Sequence, residues 1–261
     1  MNARIAVPRS STRIALGLIG LGALLALWSV GIRLLRDDTP MAANLAPADA
    51  FRSLWELIAD NELTRHTLTS LRRVLVSLAA ALILGVPIGV AVGSSHTLDA
   101  ATSAPFQFLR MISPLSWMPI AVMAFGIGDM PIYFLLTITA VWPIILNTAA
   151  GVRQLDPGWL LLGRSLCATR GEMLRRIVVP GILGHVLTGV RVAIGMIWIL
   201  LIPCEMLGVS SGLGYFILDT RDRLAYSELM AAILLIGALG FLLDGAAQWL
   251  HRRWARGSGE A

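Results

Sequence analysis

Residues 156–180 have the sequence DPGWLLLGRSLCATRGEMLRRIVVP, which predicts a pair of short helices joined by a tight turn. Asp156 suits the N-cap of the first helix, because its side chain can accept a hydrogen bond from a free backbone N–H group. Pro157 suits the first helical position, where no N–H donor is needed. The first helix is expected to extend to about Cys167.

A second helix is predicted to start at Thr169, because Glu172 three residues later completes a capping box. Pro180 follows, where a long apolar stretch begins. Residues 153–176 carry a net charge of +3, from five arginines, one aspartate and one glutamate. Such a loop could be a connector with arginines on the cytoplasmic side, or a rigid element that pushes on a partner. The residues alone leave both readings open.

The sequence on either side of this loop is too apolar for a soluble domain. Of 261 residues, 56% are hydrophobic and 14% charged, and the mean hydropathy is +0.75. This composition predicts a membrane protein. All 21 basic residues are arginine, so the chain lacks the lysine of a phosphate-binding P-loop. If ATP drives its activity, another subunit must hydrolyse it. The arginines cluster at the ends of apolar segments, which favours membrane anchoring over nucleic-acid binding.

Apolar stretches of about 20 residues predict six membrane-spanning helices. The expected spans are 14–32, 74–93, 111–128, 130–152, 177–204 and 229–250. The first is interpreted as a retained span, because it is longer than a usual signal peptide and arginines follow it. With the N-terminus inside, the inner segments hold 12 arginines and the outer segments 8. Both termini and the 153–176 loop are therefore placed in the cytoplasm.

Three regions are expected along the chain. Residues 1–65 would form the first span and an external amphipathic helix, 66–251 the transmembrane core, and 252–261 a short, disordered cytoplasmic tail. Within residues 46–72, one helical face is apolar, and it is predicted to lie on the membrane or against the bundle. Its members are Phe51, Leu54, Trp55 and Ile58.

The 156–180 stretch resembles the EAA signature of bacterial ABC import permeases, in which such a loop docks into a groove of the ATPase subunit. With the pattern aligned on Pro180, Ile177 matches, Cys167 takes the place of the glycine, and residues 161–163 take the places of Glu-Ala-Ala. The missing glycine predicts a turn that closes without a left-handed residue. The resemblance implies these coupling residues: Leu161, Leu162, Gly163, Arg164, Cys167, Ala168, Thr169, Arg170 and Glu172.

Three further stretches resemble the nitrate/sulfonate/taurine/bicarbonate permease family: SPLSWMPIAVMAFGIGD (113–129), VWPIILNTAAGVRQLDP (141–157) and TGVRVAIGMIWILLIPCEMLGVSSGLGYFI (188–217). The similarity covers about residues 66–250, and the amino-acid sequence of these stretches most resembles the nitrate and bicarbonate branch. It implies an all-α, MetI-like type I importer permease of about six transmembrane helices in the inner membrane.

The resemblance also implies partners. Two permeases, as a homodimer or with a second permease, would form the pathway. Two cytoplasmic ABC ATPase subunits would bind below, and a periplasmic binding protein would deliver a small anion. The permease itself would bind no cofactor and perform no covalent chemistry, since ATP is used by the partner subunit.

Several polar residues lie in or beside the predicted spans and have alternative roles. Ser113, Ser116, Asn147 and Thr148 could offer donors to a passing anion, or satisfy carbonyls freed by prolines. Arg191 lies well inside a span, where it could act on substrate or pair with a carboxylate in the bundle. Glu205 could brace the outer mouth or mark the membrane interface.

The sequence is compatible with functions other than import of a small anion. The solute could be another small organic molecule, such as a vitamin-precursor pyrimidine. A stand-alone ion-coupled carrier would use Arg191, Glu205 or Asp244 as ion sites and need no ATPase. A membrane-embedded enzyme would need a catalytic cluster at one depth, and the sequence shows neither that nor a histidine pair with metal-ligand spacing.

Overall fold

The computed structural model describes residues 10–35 and 45–257, and these residues form helices with no β-strand among them. The predicted all-α class is confirmed. The helices are α1 (Ser10–Leu35), α2 (Pro47–Ala59), α3 (Glu62–Ser94), α4 (His96–Met111), α5 (Met118–Phe125), α6 (Asp129–Arg153), α7 (Pro157–Ser165), α8 (Arg170–Met173), α9 (Val179–Met206), α10 (Leu213–Asp222) and α11 (Tyr226–Gly257). A 3₁₀ turn (Pro114–Trp117) precedes α5, and a π-helical segment (Leu174–Val178) joins α8 to α9.

Four helical stretches among the described residues are long and apolar enough to cross a membrane. They are α3, α6, the continuous run Arg170–Met206, and most of α11. A fifth exists if α4 and the stretch Pro114–Phe125, which meet at 84°, count as one broken span. Helix α1 adds a shorter apolar stretch, Ile19–Leu34. The predicted span at 14–32 lies wholly within the 26-residue helix α1, and its crossing of the membrane stays a prediction.

The predicted straight span at residues 111–128 is wrong. The chain leaves α4 in an extended conformation at Ile112 (ψ 125°), and the residue before Pro114 is also kept from helical geometry. Helix α5 then has only 8 residues, because Gly126 takes a φ of 78°. Residues 94–110, expected to be a cytoplasmic loop, instead form most of helix α4. A hydropathy average detects the apolar residues but not the change in chain direction between α4 and α5.

Helix α6 lies at the centre of the bundle, with α3 packed closely against it. Gly85, Gly89 and Gly93 recur every fourth residue on the face of α3 that meets α6. A Cβ atom added at Gly89 would lie 2.6 Å from the Cβ of Thr148, so only glycine allows this approach. Small residues at this spacing let helix backbones touch in a membrane, where no hydrophobic effect drives helices together.

The remaining core lies where α6 meets α9 and the first part of α3. Gly189 of α9 faces the α6 backbone at the Pro143 carbonyl, 3.0 Å from a Cβ added there. Fully buried aliphatic side chains fill the space between the helices, among them Ile132, Leu135, Leu136, Ile144, Ile197 and Leu201.

The amphipathic segment 46–72 is helical but is not one continuous helix, and of the two predicted positions of its apolar face the outward one fits better. It breaks before α3, where Asn61 has a φ of 59°. The face of α2 that packs on the bundle carries Ala50 and Leu57, whereas Trp55 is 76% exposed. The small Ala50 side chain lets α2 approach α11, so the aromatic face is left outward, as suits a membrane interface.

The tail predicted to be disordered from residue 252 continues instead as helix α11 to Gly257, and residues 258–261 lie outside the described part. The division of the chain at residues 65 and 251 stays a prediction.

Charged side chains meet at both ends of the bundle. Arg73, Asp129 and Glu205, which belong to predicted outer ends, come together at one end. Asp99 and Arg153, from predicted inner segments, pair at 2.6 Å near the other. The grouping agrees with the predicted succession of inner and outer segments, while the side that faces the cytoplasm stays a prediction.

Thiol labelling of intact cells tests this orientation, because Cys167 is exposed and Cys204 is buried. In the permease expressed alone, we expect a membrane-impermeant maleimide to label Cys167 only after the cells are permeabilised. In a Cys167→Gly background, Ser210→Cys should be labelled from outside without permeabilisation. Labelling of Cys167 in intact cells, without labelling at position 210, would reverse the assignment.

Candidate functional site: the coupling loop and the buried charge cluster

The first arm of the predicted coupling loop is helix α7, which is capped as the sequence indicates. The Asp156 carboxylate accepts a hydrogen bond of 2.8 Å from the N–H of Gly158, and Pro157 occupies the first turn. The predicted N-cap is confirmed. The helix ends at Ser165, two residues before Cys167.

The turn after α7 closes through a left-handed residue, so the opposite expectation is wrong. Cys167 has a φ of 54°. The N–H of Ala168 donates to the carbonyl of Gly163 at 3.0 Å, and the N–H of Cys167 donates to that of Arg164. A bond five residues back across a left-handed residue is the Schellman arrangement, which ends helices most often at glycine. Cys167 therefore adopts the backbone geometry typical of the signature's glycine, although its Cβ atom makes a positive φ less favourable.

The second arm begins with the predicted capping box, which is confirmed. The N–H of Thr169 donates to the Glu172 carboxylate at 2.9 Å, and the N–H of Glu172 donates to the Thr169 hydroxyl oxygen at 3.3 Å. Helix α8 then passes through the π-helical segment into α9 without a break. The loop is thus continuous with a membrane-spanning helix, which starts well before Pro180.

The two arms touch at Gly163, the third of the three positions aligned with Glu-Ala-Ala. A Cβ atom added there would lie 2.8 Å from Ile177 Cδ1 and 2.9 Å from Met173 Sδ. Even an alanine would require these side chains to shift. Close packing at this position holds the two arms together as one unit.

The tip of the loop exposes apolar side chains. Leu166 is 73% exposed and Trp159 59% exposed, and Leu161 and Leu162 are at least half exposed. Arg164 and Arg170 are exposed at the rim of this surface. A contiguous apolar surface of this kind, bordered by charge, is typical of an interaction site.

At the other end of the bundle lies the buried charge cluster, formed by Arg73, Asp129 and Glu205. The Glu205 side chain is fully buried and its carboxylate accepts hydrogen bonds from three donors. Arg73 Nη1 donates at 2.6 Å, the Ser70 hydroxyl reaches both oxygens at 2.7 and 2.8 Å, and the N–H of Gly214 donates at 2.9 Å. The last bond places the positive end of α10 against the carboxylate.

Arg73 distributes its remaining donors over two further segments. Its Nε and Nη2 atoms bond to Asp129 Oδ1 at 3.1 and 2.5 Å, and Nη1 also donates to the Ser211 carbonyl at 2.8 Å. The arginine side chain is 1% exposed, whereas that of Asp129 is 39% exposed. The cluster therefore ties α3, the start of α6, the end of α9 and the loop before α10 to one guanidinium.

Arg73 was not predicted from the sequence, where it looks like a loop arginine next to Arg72. In the structure Arg72 is exposed and Arg73 buried, so adjacent residues have opposite environments. A signal was available in the helical phase. Ser70, Arg73, Ser77, Ala81 and Gly85 lie on one buried face of α3, although the first three are polar.

The six polar residues singled out from the sequence do not form one site. Among the described residues, no side-chain hydrogen bond or ion pair joins any two of them. Arg191 Nε lies 2.9 Å from Asp244 Oδ1 of α11, both side chains being about half exposed. Ser113 and Ser116 are exposed beside the corner between α4 and α5.

Asn147 and Thr148 lie one turn beyond Pro143 in α6. Asn147 donates to the Pro143 carbonyl at 2.8 Å. The Thr148 hydroxyl is buried without a partner, next to Gly89. A buried hydroxyl without a partner is unfavourable, so Thr148 is less favourable at this position of α6 than an apolar side chain of the same size would be.

Several helices long and apolar enough to span a membrane, joined to a braced loop with an exposed apolar tip, define an integral membrane protein with a candidate docking surface. The chain belongs to the family of binding-protein-dependent transport system inner membrane components, whose profile matches residues 81–256. The predicted family is confirmed.

Named relatives agree with this membership. The chain is 40% identical over 195 residues to a bicarbonate transport system permease protein, CmpB, of Synechococcus elongatus, covering 74% of this chain and 70% of the relative. It is 35% identical to the nitrate import permease NrtB of Synechocystis over 185 residues (71% and 67%). It is 31% identical to the taurine transport system permease TauC of Escherichia coli over 201 residues (77% and 73%).

The fold is that of solved importers. An inward-facing MetNI methionine ABC transporter has a chain that matches with a TM-score of 0.63 at 19% identity, covering 74% of this chain and 95% of that one. The predicted MetI-like architecture is therefore confirmed, and the corner between α4 and α5 is a detail within it.

Glu205→Gln should destabilise the protein, because Arg73 keeps only the partly exposed Asp129 as a charged partner and the new amide NH2 group meets donors that Glu205 accepts. Breaking a buried ion pair costs about 3–5 kcal/mol. Glu56→Gln is the matched control, since Glu56 pairs with Arg52 on the exposed surface of α2, where such pairs contribute little. Unfolding of both purified variants in the same detergent is the measurement. Equal stability of the two would show that the cluster does not hold the bundle together.

Cys167→Gly should preserve the loop, and Cys167→Val should weaken it. Glycine adopts a positive φ without strain, whereas a β-branched residue does so at a marked cost. We expect the glycine variant to have a melting temperature equal to or above the parent, and the valine variant a lower one. A valine variant as stable as the glycine variant would mean that the left-handed turn is not required.

Proposed function

We propose that this chain is the permease of an ATP-driven importer for a small inorganic oxyanion, bicarbonate or nitrate. The observation that carries the proposal is the braced coupling loop with its exposed apolar tip. Two arms capped at their starts and packed at Gly163 can transmit a push without bending. The named relatives, permeases for bicarbonate and nitrate, support the choice of solute.

The loop is the docking surface for a cytoplasmic ABC ATPase. Leu162, Leu166, Cys167 and Ala168 surround its tip, and the neighbouring Arg164 and Arg170 would orient an acidic partner surface. An apolar tip is unfavourable in water until a partner covers it. The chain has no lysine for a P-loop, so the partner supplies ATP hydrolysis, and two such subunits would serve a pair of permeases.

A second permease, identical or related, is proposed to complete the pathway. Helices α4, α6 and α9 together with the 3₁₀ turn border a cavity of about 720 Å³ that is almost entirely apolar. Its wall includes Leu109, Trp117, Ile138, Trp142, Ile199 and Pro203. A partner chain facing this cavity would close it into a passage, and Ser113 and Ser116 stand near its rim.

The opposite end of the molecule is proposed to face the periplasm and receive the binding protein. A depression of about 620 Å³ lies there, between the turn before Asp129 and residues 208–211. Asp129 lies in its wall while bonded to Arg73. The buried charge cluster would thus brace the outer mouth, the role considered for Glu205 from sequence. With this orientation, we propose that both termini face the cytoplasm.

A stand-alone carrier fits the site less well. Such a carrier needs a carboxylate that gains and loses an ion during transport. Glu205 is fully buried and its oxygens already accept hydrogen bonds from Ser70, Arg73 and Gly214, so neither oxygen is open to a transported ion. The Arg191–Asp244 pair is half exposed on the outside of the bundle rather than on the cavity wall.

Leu166→Asp should release the ATPase, because it places a carboxylate at the centre of an apolar contact. An unpaired buried charge costs several kcal/mol, on the order of 10²-fold or more in affinity. Leu166 is exposed in the permease alone, so its own fold should be unaffected; Ala168→Asp, which is half-buried, serves as a second variant. Co-purification of the ATPase and uptake into vesicles are the measurements.

The control is Ala48→Asp, an exposed alanine on α2 far along the chain from the loop, which should keep both the ATPase and uptake. Uptake is followed with labelled bicarbonate, nitrate and taurine in the presence of the binding protein. If Leu166→Asp and Ala168→Asp retain the ATPase and full uptake, the loop is a connector only. Wild-type uptake of taurine alone would replace the inorganic oxyanion with a sulfonate.

A further inference from the structure

Helix α4 carries a row of polar side chains along one face. Ser103, Gln107 and Arg110 follow one another at helical spacings of four and three residues, so they share a face. All three line a cavity of about 260 Å³ between α4 and α6, into which Asp99 and Arg153 also project. This polar channel, as we call it, is separate from the buried charge cluster and from the coupling loop.

The charges of the polar channel are only partly compensated. Arg153 Nη1 lies 2.6 Å from Asp99 Oδ1, so that pair is neutral. By contrast, Ser103, Gln107 and Arg110 have no side-chain hydrogen bond or ion pair with any residue that the structure describes. The channel therefore contains one unmatched positive charge and two neutral donor groups on the same helix face.

Arg110 also lines the large apolar cavity of about 720 Å³, and among the described residues it is the one charged member of that wall. No other described residue lines both cavities. The Arg110 side chain is exposed, as are those of Ser103 and Gln107, so all three are accessible to a solute that enters either cavity. The two cavities thus share one cation in their walls, and this cation has no ion-pair partner among the described residues.

We propose that Arg110, together with Gln107 and Ser103, binds the transported oxyanion where the apolar cavity opens into the polar channel. The inference rests on the proposed function, and it identifies the residues that take up the solute. A guanidinium presents parallel N–H donors that match two oxygens of a planar oxyanion such as nitrate or bicarbonate. The Gln107 amide and the Ser103 hydroxyl offer the next donors along the helix.

The spacing along α4 gives the site a direction. From Arg110 to Asp99 the helix rises about 16 Å, at 1.5 Å per residue. An anion leaving Arg110 would pass Gln107 and Ser103 and then reach the Asp99–Arg153 pair. Because Asp99 neutralises Arg153, the anion meets one free arginine and not two. A pathway must bind its ion strongly enough to admit it and weakly enough to release it.

The first arm of the test measures uptake. The complete importer, with its ATPase and binding protein, is reconstituted with wild-type permease, Arg110→Gln, Arg110→Lys or the control Arg52→Gln, an exposed arginine on α2. We expect Arg110→Gln to lower bicarbonate or nitrate uptake about tenfold, the loss of one charge-assisted contact. Arg110→Lys should restore part of it, Arg52→Gln should match wild type, and all four should keep the ATPase bound.

The second arm probes the channel without transport. Gln107→Cys is introduced in a Cys167→Gly background, which leaves the buried Cys204 as the remaining native thiol. Its reaction with an anionic and a cationic methanethiosulfonate is compared with Arg110 present and with Arg110→Gln. We expect the ratio of anionic to cationic rates to fall about tenfold when the arginine is removed. Millimolar nitrate or bicarbonate should slow the anionic reagent in nanodiscs of zwitterionic lipid.

The two arms separate the failure of this inference from that of the proposed function. Normal uptake by Arg110→Gln, or equal reagent ratios with and without Arg110, overturns the inference and leaves the importer intact. Wild type that imports neither oxyanion, with the ratio still dependent on Arg110, refutes the proposed solute and supports an anion site. Protection that requires anionic phospholipid and is not given by nitrate or bicarbonate would identify a lipid headgroup as the ligand, and would overturn the inference.

Discussion

One ion pair, Arg73 with Glu205, sets the conditions for the rest of the bundle. Burying two charges is costly unless every donor and acceptor around them is satisfied. Here that requirement recruits the Ser70 hydroxyl, the N–H of Gly214 and the Asp129 carboxylate, each from a different segment. Segments far apart in the chain are therefore held together at one end of the bundle. This contact fixes the positions from which the helices pack their apolar side chains.

The sequence predicted what depends on local interactions. The caps at Asp156 and Thr169 involve neighbours within three residues, so spacing alone was sufficient. It failed where the outcome depends on distant packing or on backbone geometry that side chains do not specify. At Cys167 a non-glycine residue adopts the left-handed conformation that glycine usually supplies. The corner before Pro114 interrupts an apolar stretch that a hydropathy window treats as continuous.

The candidate site residues also fall into a group that the sequence predicted and a group that it did not. Positions 161–172 were located because a known family pattern spans them, and their exposure agrees with a docking role. Arg73 and Arg110 were not, because an arginine near the end of an apolar stretch looks the same whether it anchors the membrane, forms a buried pair or faces a cavity. Helical phase separates these cases, but only after the helix boundaries are known.

The glycine contacts between α3 and α6 have a mechanical consequence. Where the two backbones touch without side chains between them, the contact has little room to compress, so α3 and α6 move as one rigid body. Helix α6 begins at Asp129, bonded to Arg73, and ends at Arg153, three residues before the cap of α7. In the proposed importer, a displacement of the coupling loop would be carried over this length of about 36 Å to the opposite end of the bundle. Any part of the displacement that the two helices do not carry would be taken up at the corner after α4 or in the π-helical segment.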